Sequence, residues 1–324
     1  MNIHTDVSGW TLVFACLVMA LLLGVVALAC VYRWAPAWLL DGSMAIARWK
    51  AGLHPARLKV GAEEWVYYDS GGDGERIVLV HGYAANKDNW LGLASRLKGQ
   101  GYRLLIPDLP GFGQSSLASD GEYGVAIQAE RLRSFTQALQ LDRFHLIGHS
   151  MGGYVAGAYT SLYPDQLLST YLVAPAGVNG GVPSLLRRKG EIEGRNPLFV
   201  DSVESFHSTM AIAMVKPPQV PLRLIEVIVA RERPLRALRQ TQTAFWFSDP
   251  LENMLRGCEV PLRLLWGELD QVLPVEGADQ LLAAVTSASL KRLSGVGHMP
   301  LVEAPEELTR DYLDFIRTYG RKLR

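Results

Sequence analysis

The stretch FHLIGHSMGG at 144–153 decides the fold. An apolar run that predicts a strand is followed directly by a segment of helical length, and the junction has the pattern G-x-S-x-G. The chain turns so tightly there that small residues must flank the serine, and Gly148 and Gly152 satisfy this requirement. The pattern predicts that Ser150 is a nucleophile on a strained strand-to-helix turn. The N-terminus of the following helix, with the Met151 N–H, would face a developing oxyanion.

Short apolar runs alternate with helical stretches on both sides of this turn. The candidate strands are Ile77–Val80, Tyr102–Ile106, Phe144–Ile147, Ser169–Val173, Leu262–Trp266 and Ser289–Leu293, after a strand pair at Leu58–Val60 and Glu64–Tyr68. The candidate helices cover 124–140, 151–163, 276–285 and 306–318. Almost wholly apolar strands suit a parallel sheet that is covered on both faces. The alternation therefore predicts an α/β fold with a doubly wound, mostly parallel sheet.

The N-terminus predicts a transmembrane anchor at residues 10–32. This run has no charged residue and is long enough, as a helix, to cross a hydrocarbon core of about 30 Å. A cleaved signal peptide would need a basic start, which residues 1–9 lack, and the same lack weakens Ala27–Cys30 as a lipobox. A buried core helix seldom runs this long without a polar face. Arg33 and Lys50 follow the run, which places the catalytic part in the cytoplasm by the positive-inside rule.

The remaining chain divides into a connector, a core and an insertion. Residues 33–57 are expected to form a juxtamembrane connector, and residues 58–177 and 250–320 the α/β core. No strand is evident within 178–249, and an excursion of this length between two strands of such a sheet is typical of an inserted helical cap, or lid.

A nucleophilic serine needs a base, and the base needs an orienting acid. Of seven histidines, His298 lies in a loop directly after the last candidate strand, so a parallel sheet brings it to the same edge as Ser150. The acid is expected after the preceding strand, where WGELD at 266–270 supplies Asp270. Glu268 is the rival acid, but it is closer to the strand end and is expected to be solvated.

A second oxyanion donor is expected in the loop His81-Gly82-Tyr83, which follows the strand ending at Val80. We assign this donor to the Tyr83 N–H, beside the Met151 N–H, and expect His81 to brace the loop. The turn-rich segment 108–115 is interpreted as a structural loop that packs beneath the site.

The net charge and the cysteine content limit which partners and cofactors the sequence predicts. The formal net charge is zero, which gives no reason to expect nucleic acid as a partner. The three cysteines form no disulfide framework, and with the histidines they show no metal-ligand spacing. The sequence therefore predicts neither a metal nor a cofactor, and it leaves the oligomeric state open.

Five motifs together resemble the α/β-hydrolase superfamily over residues 58–320. They are HGY at 81–83, DLPGFGQS at 108–115, GHSMGG at 148–153, WGELDQVLP at 266–274 and GVGHMPLVEAPEEL at 295–308. HGYAANKDNW at 81–90 and the N-terminal anchor are similar to the membrane-anchored monoacylglycerol lipases of the α/β-hydrolase-domain group. The resemblance implies a catalytic triad of Ser150, Asp270 and His298 with Tyr83 and Met151 as oxyanion donors. It further implies hydrolysis of lipid esters, such as monoacylglycerol, at a bilayer.

Two other functions stay open. Hydrolases that cleave carbon–carbon bonds in meta-cleavage products also use GxSMGG and DLPGFGxS elements, although their substrates are soluble. A non-enzymatic scaffold on the same fold would usually lack a triad member, and here none is missing. Dehalogenases and epoxide hydrolases use a carboxylate nucleophile, which Ser150 argues against.

Overall fold

A single eight-stranded sheet organises the chain in the computed structural model, which describes residues 7–179, 184–194, 196–243 and 249–320. The strands are β1 His54–Val60, β2 Glu63–Asp69, β3 Glu75–Val80, β4 Tyr102–Pro107, β5 Phe144–His149, β6 Leu167–Val173, β7 Leu262–Gly267 and β8 Ala288–Leu293. Their order is β1-β2-β4-β3-β5-β6-β7-β8. The pairs β1–β2 and β2–β4 are antiparallel and the others parallel, which confirms the predicted mostly parallel sheet.

Helices cover both faces of the sheet. The helices are α1 Val7–Trp34, α2 Pro36–Lys50, α3 Leu91–Leu97, α4 Val125–Ala138, α5 Met151–Leu162, α6 Leu185–Glu193, α7 Val203–Ala213, α8 Leu222–Glu232, α9 Arg236–Thr241, α10 Leu251–Met254, α11 Gly277–Ala284, α12 Pro300–Glu303 and α13 Pro305–Gly320. Alternate residues of β3 point to opposite faces, so Val78 packs with α4 and α5, whereas Ile77 packs with α3 and α13. Both faces are therefore apolar, as the uninterrupted apolar strands predict.

The segment expected to be a juxtamembrane connector contains a helix. Helix α2 fills most of it, with Pro36 at the first helical position, where a missing N–H costs nothing. Gly52 takes a positive φ of 69° just beyond the helix end. The chain then enters β1 at His54, so the last part of the range 33–57 belongs to the sheet.

Within the described part of 178–249, the insertion contains helices α6, α7, α8 and α9. Phe206, Ile225 and Val229 form a small apolar cluster between α7 and α8. The end of α7 packs elsewhere: Met214 and its neighbours contact Val272, which lies two residues after Asp270. The insertion is therefore anchored beside the carboxyl edge of the sheet.

Helix α1 stands apart from this core. Its segment Trp10–Trp34 is long and apolar enough to cross a membrane, and it is exposed along its length. Helix α2 packs against α1, α3 and α8. Arg231 of α8 donates two hydrogen bonds to the Asp41 carboxylate of α2, at 2.8 and 2.9 Å. The insertion is thus joined to the helix that follows the candidate membrane span.

Candidate active site

Ser150 occupies a strained turn at the end of β5. Its φ of 55° and ψ of −120° lie in a region that side chains other than glycine rarely adopt. A Cβ on Gly148 would lie 2.2 Å from the Gly152 carbonyl oxygen, and one on Gly152 would lie 2.3 Å from that of Val80. The Ser150 N–H donates to the Val173 carbonyl at 3.0 Å. The surrounding strands therefore hold the turn, and both glycines are required by space.

His298 and Asp270 form a buried pair. The Nδ1–H of His298 donates to Oδ2 of Asp270 at 2.8 Å. The other carboxylate oxygen accepts the N–H groups of Val272 and Leu273, each at 2.8 Å. This arrangement fixes the tautomer of His298 and leaves its Nε2 lone pair free to accept a proton.

The structure distinguishes the two candidate acids. Glu268 is exposed and accepts a hydrogen bond from the Ser294 hydroxyl at 2.6 Å, away from His298. Asp270 is the carboxylate that meets His298. Within the described residues no hydrogen bond joins the Ser150 hydroxyl to His298, and such bonds often tighten only when a substrate is bound.

His149 supports the His298 loop, a contact that the sequence analysis missed. Its Nε2–H donates to the His298 carbonyl at 2.9 Å, and the two ring centroids are 4.9 Å apart. Burial, together with a smaller contribution from the nearby His298, lowers the pKa of His149 to about 3. His149 is therefore neutral in the folded protein at physiological pH. A histidine in the variable position of the motif carries no pattern that predicts this contact.

The loop that bears Tyr83 lies directly against the nucleophile. A Cβ on Gly82 would be 3.2 Å from the Cβ of Ser150. His81 braces the loop as expected, because its Nε2 accepts the Leu109 N–H at 3.1 Å while its Nδ1–H donates to the Gly82 carbonyl at 2.8 Å. Burial lowers the pKa of His81, which keeps the ring neutral.

The same loop is tied to the insertion and lies beside the start of helix α5. The Tyr83 hydroxyl donates to the Arg239 carbonyl of α9 at 2.7 Å. Burial raises the pKa of Tyr83 well above its usual value, so the hydroxyl stays protonated. Met151 is the first residue of α5, where the backbone N–H groups have no partner within the helix.

A buried ion pair fixes the base of the loop. The Lys87 ammonium donates to Asp108 at 2.6 Å and to the Gln114 side chain at 2.9 Å. Asp108 also accepts the backbone N–H groups of Lys87 and Gln114, at 2.7 and 2.8 Å. Lys87 and Asp108 are 2% and 0% exposed, so the segment 108–115 is the structural support that the sequence predicts.

Two cavities lie near opposite ends of the parallel strands. A groove of about 460 Å³ lies between the insertion and the loop after β7 that carries Asp270, residues 268–276, here called the acid loop; its lining includes Asp270, Met214 and Leu185. A larger cavity of about 750 Å³ is lined by Arg143, Leu167 and Pro261, next to the amino ends of the strands, and is remote from Ser150. Among the described residues no cluster of histidine, cysteine or carboxylate side chains is arranged to hold a metal ion.

Comparison with known proteins identifies the protein family. The sequence profile of the α/β-hydrolase fold matches residues 75–305, which is more than half of the chain. The chain belongs to the α/β-hydrolase family, and the parallel sheet with its strained serine turn agrees with this membership.

The individual relatives are lipases. Lipase 3 of Moraxella sp. (strain TA144) is 35% identical over 248 residues, covering 75% of this chain and 77% of the relative. The human monoacylglycerol lipase ABHD6 is 29% identical over 252 residues, covering 74% of each chain. A crystal structure of a membrane phospholipase A, described as a bacterial virulence factor, superposes with a TM-score of 0.84 at 33% identity, covering 94% of this chain and 99% of that one. Hydrolysis is the function that these relatives share, and it is the function class of this chain.

Proposed function

We propose that this chain is a membrane-anchored serine hydrolase that cleaves carboxylic esters of lipids, with monoacylglycerol as the preferred substrate class. The observation that carries the proposal is the buried Asp270–His298 pair beside the strained Ser150 turn. The lipase relatives support the ester chemistry, and the names of two of them support a lipid substrate at a membrane.

The geometry supports an acyl-enzyme mechanism. The Ser150 oxygen attacks the ester carbonyl carbon while Nε2 of His298 takes the hydroxyl proton. The N–H groups of Tyr83 and Met151 stabilise the oxyanion, and the leaving alcohol departs with the proton from His298. A water molecule, deprotonated by His298, then attacks the acyl-enzyme, which releases the fatty acid and restores the Ser150 hydroxyl. Asp270 stabilises the imidazolium throughout without becoming protonated.

Several features favour action at a bilayer surface. Helix α1 has the length and exposure of a membrane span. Trp38 and Trp49 are 75% and 76% exposed and lie about three helical turns apart on α2, so they share one side of a helix that begins directly after α1. Exposed tryptophans of this kind suit the headgroup region of a bilayer. The range 178–249 would then act as a cap between the membrane and Ser150.

A substrate series tests the proposal. The purified full-length protein, in detergent or vesicles, is assayed with monoacylglycerols of increasing chain length, with aryl esters and with a ring-cleavage product. We expect turnover of the monoacylglycerols, and a loss of kcat of about four orders of magnitude or more in Ser150→Ala at unchanged Tm. Near-native ester turnover by folded Ser150→Ala would refute the role of Ser150. Preferential cleavage of the ring-cleavage product would identify a carbon–carbon bond hydrolase instead.

A further inference from the structure

The His298 loop is held by the insertion as well as by the sheet. The His298 N–H donates to the Ala213 carbonyl at 2.8 Å. Ala213 is the last residue of α7, where helix carbonyls have no partner within the helix. The loop that carries the proposed base therefore caps an insertion helix.

A single carboxylate also joins the His298 loop to the end of α7, and we call this contact region the junction. Glu303, at the end of α12, accepts the Gly297 N–H at 3.0 Å with one oxygen. Its second oxygen accepts the Val215 N–H at 2.8 Å. One donor thus comes from the residue before His298 and the other from the chain just beyond α7. Hydrogen bonds from N–H groups to an ionised carboxylate are stronger than those between neutral groups.

The junction also has no spare room. A Cβ on Gly297 would lie 3.0 Å from the Ala213 carbonyl oxygen and 3.0 Å from the Glu303 carboxylate. Met214, between the two insertion residues, is buried in the cluster that contains Val272 of the acid loop. The end of α7 therefore contacts the loops of both proposed catalytic partners, and Glu303 fastens one of them.

We infer that Glu303 is a positioning residue, whose carboxylate clamps the His298 loop to the end of α7 and so makes the insertion part of the support of the active site. The inference deepens the proposed function and rests on it. Glu303 does not touch the substrate or the reacting atoms; it acts through the backbone of Gly297. A displacement of about 1 Å at a catalytic group is enough to cost a factor of about a hundred in rate.

Glu303→Gln is the informative variant. A glutamine has one oxygen to accept a hydrogen bond, and its NH₂ group faces the second N–H donor unfavourably. One of the two bonds must therefore break while the shape of the side chain is kept. Glu303→Asp, which is one methylene shorter and cannot span both donors, serves as a second variant if the first folds poorly. Glu307→Gln, an equal change on an exposed helix position, is the matched control.

Two readouts on the full-length protein in detergent test the clamp. Hydrogen–deuterium exchange should increase in peptides covering 294–299 and 213–217, and not in peptides from β3 or β5. With a soluble short-chain ester, kcat and kcat/KM should both fall by about tenfold or more, since a misplaced base affects the transition state more than substrate binding. The control should match the unchanged protein in both measurements.

The outcomes separate this inference from the proposed function. Unchanged exchange in both peptides of Glu303→Gln would overturn the clamp, and increased exchange with unchanged kcat would overturn the positioning role. Equal loosening across the whole sheet would show general destabilisation and would also overturn it. Ester turnover by Ser150→Ala would instead refute the proposed function, and the exchange result would stand by itself.

Discussion

Replacing Asp270 with asparagine tests the proposed triad most directly, because the structure dictates how the new amide must lie. Two backbone N–H groups, from Val272 and Leu273, point at one oxygen of the carboxylate. An asparagine must keep its only oxygen there. Its NH₂ group then faces Nδ1 of His298. In the unchanged protein the Asp270 carboxylate accepts the hydrogen bond of the Nδ1–H there, at 2.8 Å.

Two donors cannot face each other, so His298 must change its tautomer. The proton moves to Nε2, the nitrogen that has to receive the Ser150 proton, and the base is blocked. A wrong tautomer of this kind lowers kcat by about 10⁴ in the serine-protease triad, which corresponds to about 5 kcal/mol of transition-state stabilisation. We expect a similar loss here. It should be smaller than that caused by removing Ser150, since the acid orients the base and does not itself react.

The assay compares kcat for a soluble ester in Asp270→Asn and in Glu268→Gln. Glu268 is the other acid after β7, but it is exposed and bonded to Ser294, so its variant should retain kcat within about twofold. Circular dichroism and Tm verify that both variants fold. A folded Asp270→Asn protein with kcat within tenfold of the starting value, or a large loss in Glu268→Gln, would refute the assignment of the acid.

Three further outcomes are expected. Lys87→Met should lower the free energy of unfolding by about 3–5 kcal/mol, seen as a lower urea midpoint, because it leaves the buried Asp108 charge unpaired; an unchanged midpoint would contradict this. The pKa of His149 is lowered to about 3 in the folded state, compared with about 6.5 in the unfolded state. Between these two values only the unfolded state binds the proton, so the stability that the neutral ring gives is fully present above pH 6.5 and is lost as the pH falls toward 3. Between pH 6 and 4 the stability of His149→Gln should therefore fall less steeply than that of the unchanged protein, by about 1.4 kcal/mol per pH unit, and parallel slopes would refute the buried neutral ring. The positive-inside rule predicts a cytoplasmic catalytic part, so protease added outside intact cells or spheroplasts should leave it uncut, and digestion there would reverse the predicted orientation.

The inner part of the sheet was predictable because strands β3 to β7 are apolar and buried along most of their length. Every strand that the sequence analysis named is present, and the structure extends most of them by one or two residues. Their order in the sheet follows from pairing between distant segments, which no local pattern contains. Helix α2, within the range 33–57, was not predicted, and none of its side chains is fully buried.

Some residues of the candidate site could likewise be predicted from the sequence, and others could not. Ser150, Asp270 and His298 follow strand ends, and parallel strands bring such positions to one edge, so the Asp270–His298 contact could be expected. Asp270 was the predicted acid and Glu268 its rival; the structure shows the Asp270 carboxylate bonded to His298 and the Glu268 carboxylate bonded to Ser294. His149 and Glu303 escaped sequence analysis since each acts on the backbone of a neighbouring loop.

The insertion holds the loops of the site through hydrogen bonds of its main-chain atoms as well as through packing of Met214 against Val272, and the main-chain bonds leave no trace in the sequence. The Ala213 carbonyl accepts the His298 N–H, the Arg239 carbonyl accepts the Tyr83 hydroxyl, and the Val215 N–H donates to Glu303. Any residue except proline can supply such an N–H, and every residue supplies a carbonyl. Insertion side chains outside the Met214 cluster can therefore vary, and with them the surface that would face a lipid substrate, while the backbone keeps holding the same loops. Substrate preference and support of the base are thus separable by mutation, although one segment carries both.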